Sequence, residues 1–185
     1  MPPIRVSVSA QNVHQYRQLA RTLRETGQTD LRKKLRQSIN DAGRPVLDEV
    51  KERVSTLHVT SSRGGGGMQR ARFKASRART VKARDRLLRK GRGLRSEISS
   101  ATKLQITTKG VRFYVNSQLL PADQQSLPRH LDSPTGWRHP VFGNKSNWVS
   151  QKGGPWFADT IKKRAPSFRQ AIVKAMDDVA KELES

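Results

Sequence analysis

A single apolar stripe of 27 residues constrains the fold of this chain more than any other feature. Apolar residues recur every three or four positions from Leu31 to Leu57, and Lys and Arg occupy the opposite side. This spacing predicts a long amphipathic helix with one buried face. Because Gly43 and Pro45 fall inside the stripe, we expect a kink or a short break there. The stripe consists of Leu31, Leu35, Ile39, Ala42, Val46, Val50, Val54 and Leu57.

Further helices are predicted on either side of this stripe. Helical spacing over 13–23 predicts a helix that ends at Gly27, and residues 93–98 predict a short helical turn. Helical spacing returns from Phe157 to Leu183, with Pro166 as a point where the helix can split.

Strands are predicted where apolar and polar residues alternate. Residues 4–8 alternate in this way, as do 104–108 and 111–115 on either side of Lys109-Gly110. The latter pattern predicts a hairpin with a two-residue turn, followed by a polar, proline-containing connection over 117–136. Long helices on a small antiparallel sheet give an α+β fold, with residues 1–185 as a single domain.

Positive charge is concentrated in one part of the chain. The net charge is +22, and residues 63–95 contain thirteen Lys and Arg against the single acidic Asp85, a local net charge of +12. Residues 58–80 lack periodicity and include four consecutive glycines from Gly64 to Gly67, and a short basic helix is considered for Thr80 to Lys90. We therefore expect an inserted, flexible basic arm or loop over 58–92. The glycine run has no Lys-Ser/Thr after it, no apolar strand before it and no helix start, so a flexible linker is favoured over a phosphate-binding loop.

The arm predicts contact with an anionic partner. Spaced cations neutralise phosphates without reading sequence, which favours contact with DNA or RNA; the alternative is docking on an acidic protein surface, which uses the same electrostatics. The contact residues predicted on the arm are Arg63, Arg70, Arg72, Lys74, Arg77, Arg79, Lys82, Arg84, Arg86, Arg89, Lys90 and Arg92.

Several classes of function find no support in the composition. The absence of cysteine excludes disulfides and thiolate metal sites, and no apolar run approaches the roughly 20 residues that span a membrane. The N-terminus lacks the apolar core of a signal peptide, so synthesis in the cytoplasm is expected. His130, Asp132, His139, Asn144 and Asn147 match no nuclease or metal spacing. We therefore expect no enzymatic activity and no cofactor.

Aromatic residues cluster in one segment, 137–157. This segment holds all three tryptophans and five of the ten aromatic residues, and its many turn residues predict irregular backbone. Large rigid side chains there need a partner, which is either the core of the domain or another subunit. The predicted anchor residues are Trp137, Arg138, His139, Pro140, Phe142, Trp148, Trp156 and Phe157.

The same segment carries a resemblance to a known family. It reads Gly-Trp-Arg-His-Pro-Val-Phe-Gly-Asn at 136–144, Trp-Val-Ser-Gln at 148–151 and Pro-Trp-Phe at 155–157, before a terminal helix. This pattern resembles the neck and tail-completion proteins of long-tailed bacteriophages, which are minor tail or head–tail connector proteins. Two features that precede this segment occur in the same order as in that family: Ala-Gly-Arg-Pro-Val-Leu at 42–47 and then the predicted hairpin. The resemblance covers roughly 10–57 and 91–183 and leaves out the arm.

The resemblance implies a structural, non-catalytic subunit of the virion neck. Such a subunit forms a ring, commonly a hexamer, between neck connector and tail-tube proteins, and genome DNA passes through the lumen. The alternative is a non-specific nucleic-acid-binding protein that acts through its basic arm.

Overall fold

The computed structural model describes residues 4–8, 13–61, 77, 80–81, 93–107, 110–141 and 144–184. Their order is β1 Arg5–Val8, α1 Val13–Glu25, α2 Thr29–Thr56, β2 Thr60–Ser61, α3 Leu94–Ala101, β3 Thr102–Thr107, β4 Gly110–Val115, α4 Leu127–Asp132, β5 Trp137–Val141, β6 Asn144–Lys152 and α5 Ala158–Glu184. The α+β prediction is confirmed, with long helices near both ends and small antiparallel sheets.

The apolar stripe is the buried face of α2. Its central members are buried as predicted, but the expected break is absent, because α2 continues through Gly43 and Pro45. Pro45 lies on the exposed side of α2. A proline within a helix costs roughly 3 kcal/mol, and packing of the opposite, buried face of α2 offsets this cost. Gly43 is buried, and a Cβ there would lie 2.7 Å from Leu104 Cδ2. Gly43 therefore lets β3 approach the helix closely.

The C-terminal helix packs along α2. The prediction of a helix from 157 to 183 is confirmed by α5, which also continues through its proline, Pro166. Phe168 of α5 meets Phe113 of β4 edge to face, with ring centroids 5.6 Å apart. The two helices thus enclose the apolar face of the first sheet, and their buried side chains form one hydrophobic core with it.

The first sheet has the order β1-β4-β3 and contains the predicted hairpin. Leu104 pairs with Phe113 and Ile106 with Val111, as the alternation indicated. Thr107 pairs with Gly110, so Gly110 belongs to the strand and not to the turn. The predicted N-terminal strand is confirmed by β1, which pairs antiparallel with β4.

The second sheet was not expected. The aromatic segment, for which irregular backbone was predicted, forms the antiparallel strands β5 and β6, and β2 adds a third strand in the order β2-β6-β5. Its turn residues were misleading, because Pro140 lies on the edge strand β5, where a missing N–H costs little. The strand at Thr60–Ser61 lies at the start of the span predicted for the basic arm, 58–92.

The connection over 117–136 is likewise more ordered than predicted. It contains two 3-10 turns, Ser117–Leu119 and Ala122–Gln124, and the short helix α4. Leu120 and Leu131 are each 4% exposed and belong to the core. Proline at the first turn of α4 is compatible with a helix start, which explains why a proline-containing stretch folds in this way.

Candidate interaction surface

The predicted aromatic anchor residues separate into a buried group and an exposed group. Trp156 and Phe157 are fully buried, with ring centroids 5.3 Å apart in an edge-to-face contact. They lie in the chain between β6 and α5, and both belong to the hydrophobic core. These two residues therefore serve the core of this chain and are not available to another subunit.

Trp148 has the opposite environment. It lies in β6 opposite Pro140 and is 45% exposed, although its neighbour Val149 is buried. Its indole Nε1 donates a 2.7 Å hydrogen bond to the backbone oxygen of Lys145, and the Arg138 guanidinium lies 5.6 Å from the ring centroid. These contacts hold the ring in one orientation while part of it remains in water. Little conformational entropy is then left to lose when a partner binds.

Trp137 and the two nearby histidines occupy an intermediate position. Trp137 is partly buried against the core and stacks on His130, with centroids 5.8 Å apart and planes at 22°. Nδ1 of His139 lies 3.1 Å from the backbone oxygen of Pro140. His139 and Pro140 are half-buried, and Arg138 is exposed. Phe142 lies outside the described residues.

The exposed surface of the second sheet is therefore defined by Trp148 and Arg138, which we call the Trp148 surface. It combines an aromatic ring and a guanidinium, the two side-chain types that most often dominate protein–protein binding energy. β5 is one of the two edge strands of this sheet, so a further strand could pair beside it except at Pro140, which has no N–H to donate.

Asp132 has a structural role that the sequence did not reveal. One carboxylate oxygen accepts hydrogen bonds from the backbone N–H groups of Trp156 at 2.9 Å and Phe157 at 2.7 Å, just before α5 begins. The other oxygen is 3.4 Å from the N–H of Ala158. Burial raises the pKa of Asp132, and these three N–H donors oppose the shift. Capping residues usually lie directly before the helix that they cap, whereas Asp132 lies 24 residues before Trp156, so local sequence does not indicate this role.

Three of the residues considered for a nuclease, His130, Asp132 and His139, have separate structural contacts. His130 stacks on Trp137, Asp132 caps α5 and His139 faces the backbone of Pro140. Among the described residues, no three His, Asp or Glu side chains are grouped so that they could hold a metal ion.

Of the predicted contact residues of the arm, one lies among the described residues. Arg77 is described and exposed. The other eleven lie outside the described residues, as do Gly64 to Gly67 and the short basic helix considered for 80–90 beyond Val81; they are Arg63, Arg70, Arg72, Lys74, Arg79, Lys82, Arg84, Arg86, Arg89, Lys90 and Arg92.

Comparison with known proteins adds no family assignment. Protein-family models, characterised proteins and solved structures yielded no match to this chain. In the part of the chain that the structure describes, no helix has both the length and the apolar character needed to cross a bilayer.

Proposed function

We propose that this chain is a structural, non-catalytic subunit of the head–tail junction of a long-tailed bacteriophage, where it forms a ring around the DNA path. The observation that carries the proposal is the Trp148 surface: a held, 45% exposed tryptophan beside an exposed arginine. The sequence resemblance over 136–157 supports the same proposal and includes this tryptophan.

A ring requires two different surfaces on each subunit, because a head-to-tail contact repeats around a closed circle. The Trp148 surface is one candidate half of such a contact. It lies on the second sheet, away from the face of the first sheet that α2 and α5 cover. A neighbouring subunit that buries Trp148 would gain the contact energy of a large aromatic ring without unfolding any part of the core.

The proposed position also gives the basic arm a purpose. A subunit that surrounds genome DNA benefits from cations that neutralise phosphates without sequence preference. The local net charge of +12 over 63–95 suits that environment, and it equally suits an acidic surface on the adjoining neck connector or tail-tube ring.

The test compares two exposed apolar side chains. Leu119 is 61% exposed and Trp148 45% exposed, so Leu119→Ala is a matched control for Trp148→Ala. We expect the native chain and Leu119→Ala to appear as closed rings in negative-stain micrographs and to have the molar mass of an oligomer by multi-angle light scattering. Trp148→Ala should remain folded and lose the rings. A native chain that is strictly monomeric and missing from purified virions would contradict the proposal.

The alternative function, nucleic-acid binding through the arm alone, is favoured by the concentration of charge. Deletion of residues 63–90 separates the two. If the chain acts only through the arm, the deletion should abolish DNA binding, and neither the native nor the deleted protein should enter virions. If the chain is a ring subunit, the deleted protein should still fold and still enter virions.

A further inference from the structure

A groove rich in arginine crosses the described fold at the place where α1, the beginning of α2 and the end of β3 meet. Its volume is about 640 Å³. It lies apart from the Trp148 surface, because none of its lining residues belongs to the second sheet. We call it the basic groove, defined by Arg17, Arg21, Arg24, Arg32 and Arg36.

These five arginines form two rows. Arg17, Arg21 and Arg24 are spaced by four and three residues and therefore share one face of α1. Arg32 and Arg36 are four residues apart on α2 and line the groove from the other helix. All five are exposed, so their guanidinium groups are available to a ligand.

The positive charge of the groove is mostly uncompensated. Arg21 pairs with Glu25 at 2.7 Å, but both side chains are more than half exposed, so the pair is weak. Within the described part of the chain, the other four arginines of the groove have no carboxylate within 4.0 Å. Like charges four residues apart on a helix repel, so an anionic partner would relieve the repulsion in both rows.

The floor between the rows is mostly apolar, although Thr107 also lines the groove. Ala20 and Ile106 are half-buried there, and Leu35 beneath them is 1% exposed. Tyr16 also lines the groove and is 6% exposed; burial raises the pKa of its phenol, while the nearby charge of Arg36 lowers it. A concave apolar floor can accept an apolar side chain between the two charged rims.

This combination of floor and rim favours a polypeptide over a nucleic acid. A phosphodiester backbone would pair with the arginines but has no apolar group for Ala20 and Ile106. Proteins that bind single-stranded nucleic acid stack successive bases on exposed aromatic rings, and Tyr16, the one aromatic residue that lines the groove, is only 6% exposed. Carboxylates, in contrast, form bidentate pairs with guanidinium groups, and a peptide brings apolar side chains with them.

We propose that the basic groove binds an acidic polypeptide segment, whose carboxylates pair with the two arginine rows while one apolar side chain packs against Ala20 and Ile106. The proposal does not depend on ring formation. It assigns the groove a partner that differs in chemistry from DNA in the lumen.

The test uses the full-length chain and a synthetic fluorescein-labelled peptide of Glu and Ala residues with one central Leu. Anisotropy titrations compare Arg17→Glu/Arg36→Glu with Lys162→Glu/Lys163→Glu. The second pair makes the same charge change at exposed positions on α5 that do not line the groove. We expect the groove variant to bind about tenfold more weakly than this control, since two charge pairs are lost and reversed.

A second peptide, with the central Leu replaced by Ser, tests the apolar floor. It should bind the native chain about threefold more weakly than the Leu peptide does, a modest loss for one small apolar contact. The two peptides should bind the groove variant with equal affinity. Amide resonances of Ala20 and Ile106 should shift on titration of the Leu peptide. Arg17→Gln/Arg36→Gln repeats the test without charge reversal, and circular dichroism confirms that each variant is folded.

Three results would overturn the proposal. Equal weakening by the groove variant and the α5 control would mean that binding follows overall charge. No dependence on the central Leu would remove the apolar contact. A duplex DNA oligonucleotide that loses more affinity than the peptide in the groove variant would identify the groove as a nucleic-acid contact instead.

Discussion

The two sheets of this protein are both antiparallel and both three-stranded, yet they differ in what covers them. In the first sheet, Val111, Phe113 and Val115 alternate along β4 and are no more than 3% exposed, because α2 and α5 pack over that face. In the second sheet, β6 buries Val149 and leaves Trp148 45% exposed. The first sheet stabilises the fold, whereas the second leaves apolar surface exposed at Trp148.

The comparison shows that hydrogen-bond pattern does not determine the function of a sheet. A paired ladder satisfies the backbone in both cases, and the layer on each face decides whether side chains contribute to stability or to binding. Four experiments with variants of the two regions follow, in order of decreasing expected effect.

The largest effect is expected in the first sheet. Phe113→Ala removes a fully buried ring that contacts Phe168, and large-to-small changes of this kind cost about 3–5 kcal/mol. Tyr114→Ala is the control, since Tyr114 is half-buried and Arg112 lies 5.2 Å from its ring centroid. It should cost about 1 kcal/mol. Urea denaturation measures both, and equal losses would show that α2 and α5 do not make the two faces different.

A smaller effect is expected at the start of the second sheet. Gly136 has φ of 77°, and a Cβ there would collide with the backbone oxygen of Gln151. Gly136→Ala should therefore cost about 3 kcal/mol, from backbone strain and overpacking together. Gly27 has φ of 70° with nothing within 4 Å of its Cβ position, so Gly27→Ala should cost only the strain, about 1 kcal/mol. Thermal unfolding of the two variants gives the difference, and equal stabilities would mean that β6 can move away from Gly136.

Trp148→Ala should lower the stability of the monomer by less than about 1 kcal/mol. The substitution removes a half-exposed ring and its cation–π contact with Arg138 but opens no core cavity. The measurement is urea denaturation at a concentration where the chain is monomeric. A loss close to that of Phe113→Ala would make Trp148 a core residue and would remove the contrast between the sheets.

The smallest effect is expected in how the free energy of unfolding depends on pH. It arises from Asp132, which accepts hydrogen bonds from the backbone just before α5 begins. Because burial raises its pKa above the ordinary 3.8, the folded state keeps the proton to higher pH than the unfolded state. The stabilising contribution is then complete below 3.8 and is lost as pH rises through the folded pKa.

Asp132→Asn supplies the reference for this prediction, since the amide does not titrate. The unfolding free energy of the native chain minus that of Asp132→Asn should fall as pH rises above 3.8 and then level off. A difference that increases with pH would show that the three N–H donors outweigh burial in the folded chain.

The sequence predicted the regular elements of the fold well where local periodicity is strong. The stripe over 31–57, the C-terminal helix and the hairpin around 104–115 each carry a clear period, and each is present. Prolines and other turn residues led the prediction to expect breaks or irregular backbone that the structure does not have. Pro45 and Pro166 do not end their helices, and Pro140 does not prevent a strand, because tertiary packing offsets what a proline costs locally.

The candidate surfaces were harder to predict than the fold. Sequence grouped Trp148 with Trp156 because both lie in one aromatic segment, but one is exposed and the other is in the core. The basic groove carried no sequence signal of its own, because its two arginine rows lie on separate helices and the strongest charge lies elsewhere, in 63–95.

The sequence by itself determined the α+β class, the long amphipathic helices, the first hairpin and the uneven distribution of charge. These follow from local period and composition, which each segment carries without its neighbours. Only the tertiary structure decided which tryptophans are buried, that Asp132 caps a distant helix, and that two rows of arginine face one groove. Those outcomes depend on how separate elements pack, and no single stretch of sequence contains that information.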